Sequence, residues 1–373
     1  MSVAARVIGA GGAGYDPGAA SGDDGYRVEA FSGTPAEWDA VVDAAPAATQ
    51  CHRYGWRGVM ERVFGHECVY LAARTPAGAI EGVLPLVRVK SPLFGHFLVS
   101  MPFLNYGGPV GEDRAVGALV AAAGDQARRD GVTLAELRNR GPLPQAPGDG
   151  WALSARKITV VLPIPPGGEG ALWKALDGKL RSQIRRPQKE GVTVKFGSDQ
   201  LAPFYTVFAH HMRDLGTPVQ PRRLFEEIAA SFPGEVWFGC AYIGERPVAA
   251  GCGFRWRSEF EMTWASALVE HKKLAPNMLL YWAFMQRAAA EGLTHFNFGR
   301  CTPESGTHRF KRQWGAEDEQ LYWYGLTPGA HAGAAATTPS PHDSAYAWGP
   351  RLWKRLPLPV ATALGPRIVK YIP

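Results

Sequence analysis

The stretch that decides the fold runs Leu293-Thr294-His295-Phe296-Asn297-Phe298, then Gly299-Arg300-Cys301-Thr302-Pro303-Glu304-Ser305-Gly306-Thr307-His308, then Arg309-Phe310-Lys311-Arg312-Gln313-Trp314-Gly315. Its first part alternates apolar and polar residues, which predicts a half-buried strand. Gly299, Pro303 and Gly306 then break it into a loop that ends in a cationic, aromatic run. Arg300, Arg309, Lys311 and Arg312 fall within thirteen positions, against the single carboxylate Glu304. A core strand that delivers such a loop suits an anionic group, or the charge that develops on a reacting carbonyl. A solvated basic turn is the plain alternative.

Working outward, the strand is preceded by a helix over 276–291, with Pro276 and Asn277 at its start and Gly292 at its end. Before that helix come three strand patterns, at 236–243, 248–256 and 260–267, and two helices near 203–215 and 222–232. The first half of the chain repeats the theme. Strands at 68–73 and 80–89 meet at Pro76-Ala77-Gly78, a hairpin signal, and an apolar strand at 97–103 follows. A helix over 113–130 and a strand at 132–138 come next, and 157–163 reads as a further strand. Hairpins, then a helix and a returning strand, occur in both halves. The pattern predicts an α+β fold with mixed β-sheets, duplicated in tandem. Pro/Gly-rich breaks place the boundary between a domain over 26–164 and a second over 165–327, which Leu321–Leu326 is expected to close. Residues 1–25 read as a disordered Gly-rich tail, 328–347 as a flexible linker and 348–373 as a basic, apolar tail.

At 373 residues with 46% hydrophobic content, the chain has room for two cores. The net charge of +6 fits an anionic substrate, RNA or a membrane surface alike. Cys51, Cys68, Cys240, Cys252 and Cys301 are scattered, with no CxxC pair, so neither a zinc site nor a disulfide framework is indicated and no metal is expected. The absence of a signal-like stretch and of a membrane-length apolar run leads to the expectation of a cytoplasmic protein. The 348–373 tail carries five cations, no carboxylate and interleaved large apolar residues, which suit a segment lying on the inner face of a membrane and equally a tail that packs on its own domain.

Phe310-Lys311-Arg312-Gln313-Trp314-Gly315 resembles the Phe-Lys-x-x-(aromatic)-Gly motif of the FemABX peptidyltransferases. The longer string from Phe298 to Gly315 is similar to the FemAB-related branch associated with exopolysaccharide and PEP-CTERM export systems. So are Met212-Arg213-Asp214-Leu215-Gly216-Thr217-Pro218 and Leu274-Ala275-Pro276-Asn277-Met278-Leu279-Leu280-Tyr281-Trp282. That branch usually has Ser where this chain has Cys301. The resemblance implies tandem GNAT-like domains. It also implies an acyltransferase that moves an acyl or aminoacyl group onto an amine of a cell-envelope or exopolysaccharide precursor. The donor is then acyl-CoA or, as in FemABX enzymes, aminoacyl-tRNA. A non-catalytic adaptor of an export system is the rival reading. A GNAT enzyme normally holds the CoA pyrophosphate in a Gly-rich turn, and the corresponding Lys272–Asn277 has no glycine.

Lys311, with Arg300, is the candidate for contact with the carbonyl or phosphate, and Asp214 is a third catalytic candidate at a turn. Arg181 and Arg185 share one face of a basic helix, whose last turn Pro187 is expected to spoil, leaving Lys189 doubtful. Arg309, Trp314, Asn277 and Ser305 complete the expected substrate-binding set. Cys301 reads as a space-filling residue, because no His–Asp partnership is visible beside it.

Overall fold

Period-two stretches and Gly/Pro breaks of the sequence resolve into strands and helices in a computed structural model, which describes residues 25–92, 94–329 and 348–373. The expected disordered tail and linker thus lie almost wholly outside the described residues. In chain order the first half contains β1 (Arg27–Ala30), α1 (Pro35–Ala44), α2 (Gly55–Val59), β2 (Glu67–Arg74), β3 (Ile80–Ser91) and β4 (Gly95–Ser100). It continues with β5 (Val110–Gly111), α3 (Asp113–Arg129), β6 (Leu134–Asn139), β7 (Trp151–Ser154) and β8 (Ile158–Pro163). Then come α4 (Gly168–Ala175), α5 (Gly178–Lys189), β9 (Val192–Phe196), α6 (Leu201–Leu215), α7 (Arg222–Ser231), β10 (Val236–Ile243), β11 (Arg246–Trp256) and β12 (Glu259–Ala267). The rest is α8 (Pro276–Ala290), β13 (His295–Cys301), α9 (Gly306–Arg312), β14 (Glu317–Gln320), β15 (Tyr322–Leu326), α10 (Trp348–Trp353) and α11 (Leu358–Val369).

Two mixed sheets result, ordered β1-β2-β3-β4-β6-β15-β7, with β5 on β3, and β14-β8-β13-β12-β11-β10-β9. Each half contains three antiparallel strands, a helix and a strand that returns parallel to the third: β4 with β6, and β12 with β13. The expected duplication is therefore present. The halves also exchange strands across the 164/165 boundary. β8 pairs with β13 and β14 in the second sheet, and β15 pairs with β6 and β7 in the first. Leu321–Leu326 was expected to close the second sheet and instead lies in the first. Its alternation marks a strand but carries no information on which edge it joins.

The exchange ties the halves together. One buried cluster draws on both, with Trp38, Trp56 and Tyr70 beside Phe204, Phe225 and Phe254. Helix α1 starts at Thr34, which forms a reciprocal capping box with Glu37. Its far end is capped from the second half: Arg257 donates to the carbonyls of Val42, Asp43, Ala45 and Pro46. The expectation about Pro187 is also corrected, since α5 runs through it to Lys189. The proline removes one main-chain bond, but its ring is buried and that packing holds the last turn. The stretch taken as a loop after Pro303 contains helix α9, which Ser305 caps by accepting from His308 N at 3.1 Å.

Candidate functional site

β12 and β13 are parallel neighbours only at Glu259↔His295, Phe260↔Phe296 and Glu261↔Asn297. Beyond Glu261 the ladder stops, leaving a V of strand ends no longer paired with each other, with the Glu261↔Asn297 pair at its vertex. Gly299 holds a left-handed φ of +72° there, and a Cβ on it would meet Met262 O at 2.9 Å, so glycine is required. Asn297, fully buried, pins the vertex. Its Oδ1 accepts from Thr159 Oγ1 (2.6 Å) and Gly299 N (2.8 Å), and its Nδ2 donates to Tyr106 Oη (3.2 Å) and Glu259 Oε1 (3.1 Å). The equivalent parallel pair in the first half is closed by its own loop, because Gly107 N and Gly108 N both donate to Arg138 O.

Two carboxylates stand on one face of β12, because residues two apart in a strand point the same way. Arg140, at the end of β6, forks onto Glu259 at 2.9 and 2.8 Å and reaches Glu319 at 3.0 Å. Glu261 has a different environment. Burial first, and then the charge of Glu259, push its carboxyl up to about 7, against a hydrogen bond from Asn105 Nδ2 and the charges of Arg140 and Lys311. Glu259 is committed to its fork with Arg140, and the raised carboxyl of Glu261 is the one suited to exchange a proton.

Lys311 is buried, 3% exposed, and its Nζ donates to Gly299 O (2.5 Å) and Arg300 O (3.0 Å). Burial lowers its pKa to about 8. It therefore props the β13 side of the V, and its charge bears on Glu261. Arg300 is held down to about 10 by burial and by the neighbouring charge of Arg138. Its guanidinium lies 4.7 Å from the Trp323 ring centre, and Arg138 lies 4.6 Å from the same ring. Trp323 comes from β15, so the strand exchange brings this stack to the V.

The other predicted residues are dispersed. Arg185 stacks over Trp173 at 5.1 Å on exposed α5, and Arg181 is half-buried on the same helix. Asp214 accepts from Arg213 Nε at 2.7 Å at the end of α6. Asn277 is half-buried in the first turn of α8, and Arg309 donates to Glu304 O at 2.8 Å. Trp314 is a core residue packed by Tyr281, Phe298 and Phe310. His308 gives a correction: it does have an aspartate partner, with Nε2 at 2.9 Å from Asp318 and Nδ1 accepting from Glu304 N. Both ring nitrogens are thereby occupied, so the pair ties α9 to β14 and leaves no free base for Cys301, whose thiol burial raises. Among the described residues no group of three or more His, Cys, Asp or Glu could hold a metal.

Residues 176–312 match the acetyltransferase (GNAT) domain family. The chain is similar in fold to FemX, with a TM-score of 0.60 at 15% identity over 79% of this chain and 96% of that one. It is similar to the C-terminal domain of a putative lysylphosphatidylglycerol synthetase from Agrobacterium fabrum, with a TM-score of 0.51 at 12% identity over 79% and 92%. It also resembles L-PGS from Bacillus licheniformis, with a TM-score of 0.51 at 12% identity over 91% and 97%. No curated protein matches it in sequence. The match thus falls in the second half of an α+β fold whose two halves repeat one topology.

Proposed function

We propose that the protein transfers an acyl or aminoacyl group from an activated donor to an amine, in the V between β12 and β13. The observation that carries the reading is Glu261, a carboxyl with a pKa near neutrality at the point where the parallel strands part. The neutral amine adds to the acyl carbon and its proton passes to Glu261. Collapse of the addition intermediate then breaks the bond to the donor's sulfur or oxygen, which leaves with the electron pair and takes up a proton to become the free thiol or hydroxyl, Glu261 returning to its ionised form. Main-chain groups that β12 turns toward β13 beyond Glu261 have no ladder partner there and suit the developing oxyanion. Lys311 and Arg300 supply a positive field beside it. The first domain completes the site, since Asn105 and Arg140 hold Glu261 and Glu259.

In this reading the acceptor is an amine on a cell-envelope or exopolysaccharide precursor, reached from the cytoplasmic side, where acyl-CoA and aminoacyl-tRNA are made. The motif of FemABX peptidyltransferases at Phe310–Gly315 supports it. The donor turn favours neither candidate. It is a short helical turn over Val269–Leu274, then Ala275 in the left-handed region, then Pro276, which has no N–H to offer a phosphate. Exposed Lys272 and Lys273 stand beside it. Transfer to a purified amine, measured with acetyl-CoA and with aminoacyl-tRNA, decides the donor. An RNA donor is expected to show steep salt dependence, RNase sensitivity and weakening by Arg181→Glu or Arg185→Glu. A thioester donor should bind saturably at moderate salt. No turnover with either would return the chain to the adaptor reading.

Asn105→Ala gives a further check on Glu261. Asn105 donates to the carboxylate and so favours its ionised form. Its removal should move the acid limb of the pH–rate profile to higher pH, by about half to one unit. An unmoved limb would remove Asn105 from the site.

A further inference from the structure

Among the described residues, six large hydrophobic side chains stand well exposed: Leu153, Leu215, Val269, Leu352, Val360 and Leu364. All but Leu153 gather around the last turns of α6. Arg213 Nη1 donates to Leu356 O at 3.4 Å, and a Cβ on Gly216 would lie 2.5 Å from Pro350 O, so α10 packs beside Leu215. His211 Nδ1 lies 3.1 Å from Ala267 O, which brings Val269 to the same place. α11 closes the group, with Gly365 pressed against Val219.

α11 carries two apolar stripes. Ala361, Gly365 and Val369 are buried on the body, whereas Val360 and Leu364 face outward. One stripe suffices to hold a surface helix, so the second is available to another apolar medium. The charge of the segment that carries it has one sign. Arg351, Lys354, Arg355 and Arg367 are exposed, and 348–373 contains no Asp or Glu. Lys272 and Lys273 add two more exposed cations beside Val269. The nearby carboxylates Asp214 and Glu270 are taken up by Arg213 and Arg246.

From these contacts and charges we propose that this face docks on the surface of an anionic lipid bilayer, with Leu352, Val360 and Leu364 in the interface and the cations among the headgroups. Charge decides against a second copy of the chain, since two such faces would set cation against cation. No helix among the described residues is long and apolar enough to cross a membrane, so the contact is peripheral. The face lies at the Ala267 end of β12, the end to which the V opens. Docking would turn that mouth toward lipid, a consequence that, unlike docking itself, rests on the function proposed above.

The test is vesicle flotation of the full chain, because truncating the tail would strip the buried stripe of α11 from the body. The probes are vesicles of phosphatidylcholine alone and of phosphatidylcholine with phosphatidylglycerol. The protein is expected to float with the anionic vesicles, less so as salt is raised, and not with the neutral ones. Leu352→Asp with Leu364→Asp, and separately Arg351→Glu with Lys354→Glu and Arg355→Glu, should each reduce binding about tenfold or more. All five positions are exposed, and unchanged thermal unfolding would confirm intact folds. Failure of the wild-type chain to float, or equal flotation of folded variants, would overturn the proposal. So would a dimer in sedimentation that these substitutions dissociate without any vesicle binding, which would assign the face to a second copy.

Discussion

Glu261→Gln is expected to lower kcat/KM for amine acylation by about 10²–10⁴-fold, the usual contribution of a positioned proton acceptor. The wild-type rate should rise with pH through about 7 as the carboxyl ionises, and the variant should lose that limb. Stability should move the other way. A carboxyl whose pKa is raised by folding penalises the folded state once it ionises. The penalty begins above the ordinary glutamate value and is complete above about pH 7. Gln keeps an oxygen for Asn105 and carries no charge, so the variant should gain in unfolding temperature relative to wild type between pH 5 and pH 8. Loss of rate together with that gain separates a chemical role from a structural one. A variant that turns over normally at pH 8 would take Glu261 out of the mechanism.

Much of the fold was legible in the sequence because it rests on local signals. The Pro76-Ala77-Gly78 turn joins β2 to β3, Pro276 and Gly292 bracket α8, and the alternation before Gly299 marks β13. What was not legible depends on which strand lies beside which. Nothing in 157–163 or 321–326 says that these segments change sheets, since period-two alternation fixes a face and leaves the neighbour open. Glu261, Glu259, Asn105 and Arg140 of the candidate site escaped notice for the same reason. Glu261 and Asn105 are 156 residues apart, and Arg140 and Glu259 are 119 apart. One local signal was available: Glu259-Phe260-Glu261 puts two carboxylates on one face at the start of a strand. The cationic run after Gly299 drew attention to charge as if it were exposed. Of its members, Lys311 is buried against two carbonyls, Arg300 stacks on Trp323 and Arg309 fastens a turn.

That burial changes what Lys311→Ala should do. Substitution removes both a charge beside the V and the link that holds the Gly299 and Arg300 carbonyls. Transfer is expected to fall by about 2–4 kcal/mol in transition-state stabilisation, or roughly 30- to 1000-fold, mainly in kcat. Unfolding stability should change less than the bare carbonyls alone would suggest. Each unpaired carbonyl costs about 1–3 kcal/mol, offset by no longer burying an ammonium. The pH profile then separates the two roles. Burial lowers the lysine to about 8, so folding favours its neutral amine, and stability should rise as pH climbs above that value. A neutral amine still has two N–H groups for the two carbonyls, so the link survives deprotonation while the charge does not. If the charge steadies the reacting carbonyl, the wild-type rate should fall above pH 8 and complete a bell with the Glu261 limb. If only the link matters, the rate should stay flat above pH 8 even though Lys311→Ala is impaired. A flat profile together with a fully active, folded Lys311→Ala protein would remove Lys311 from the site altogether.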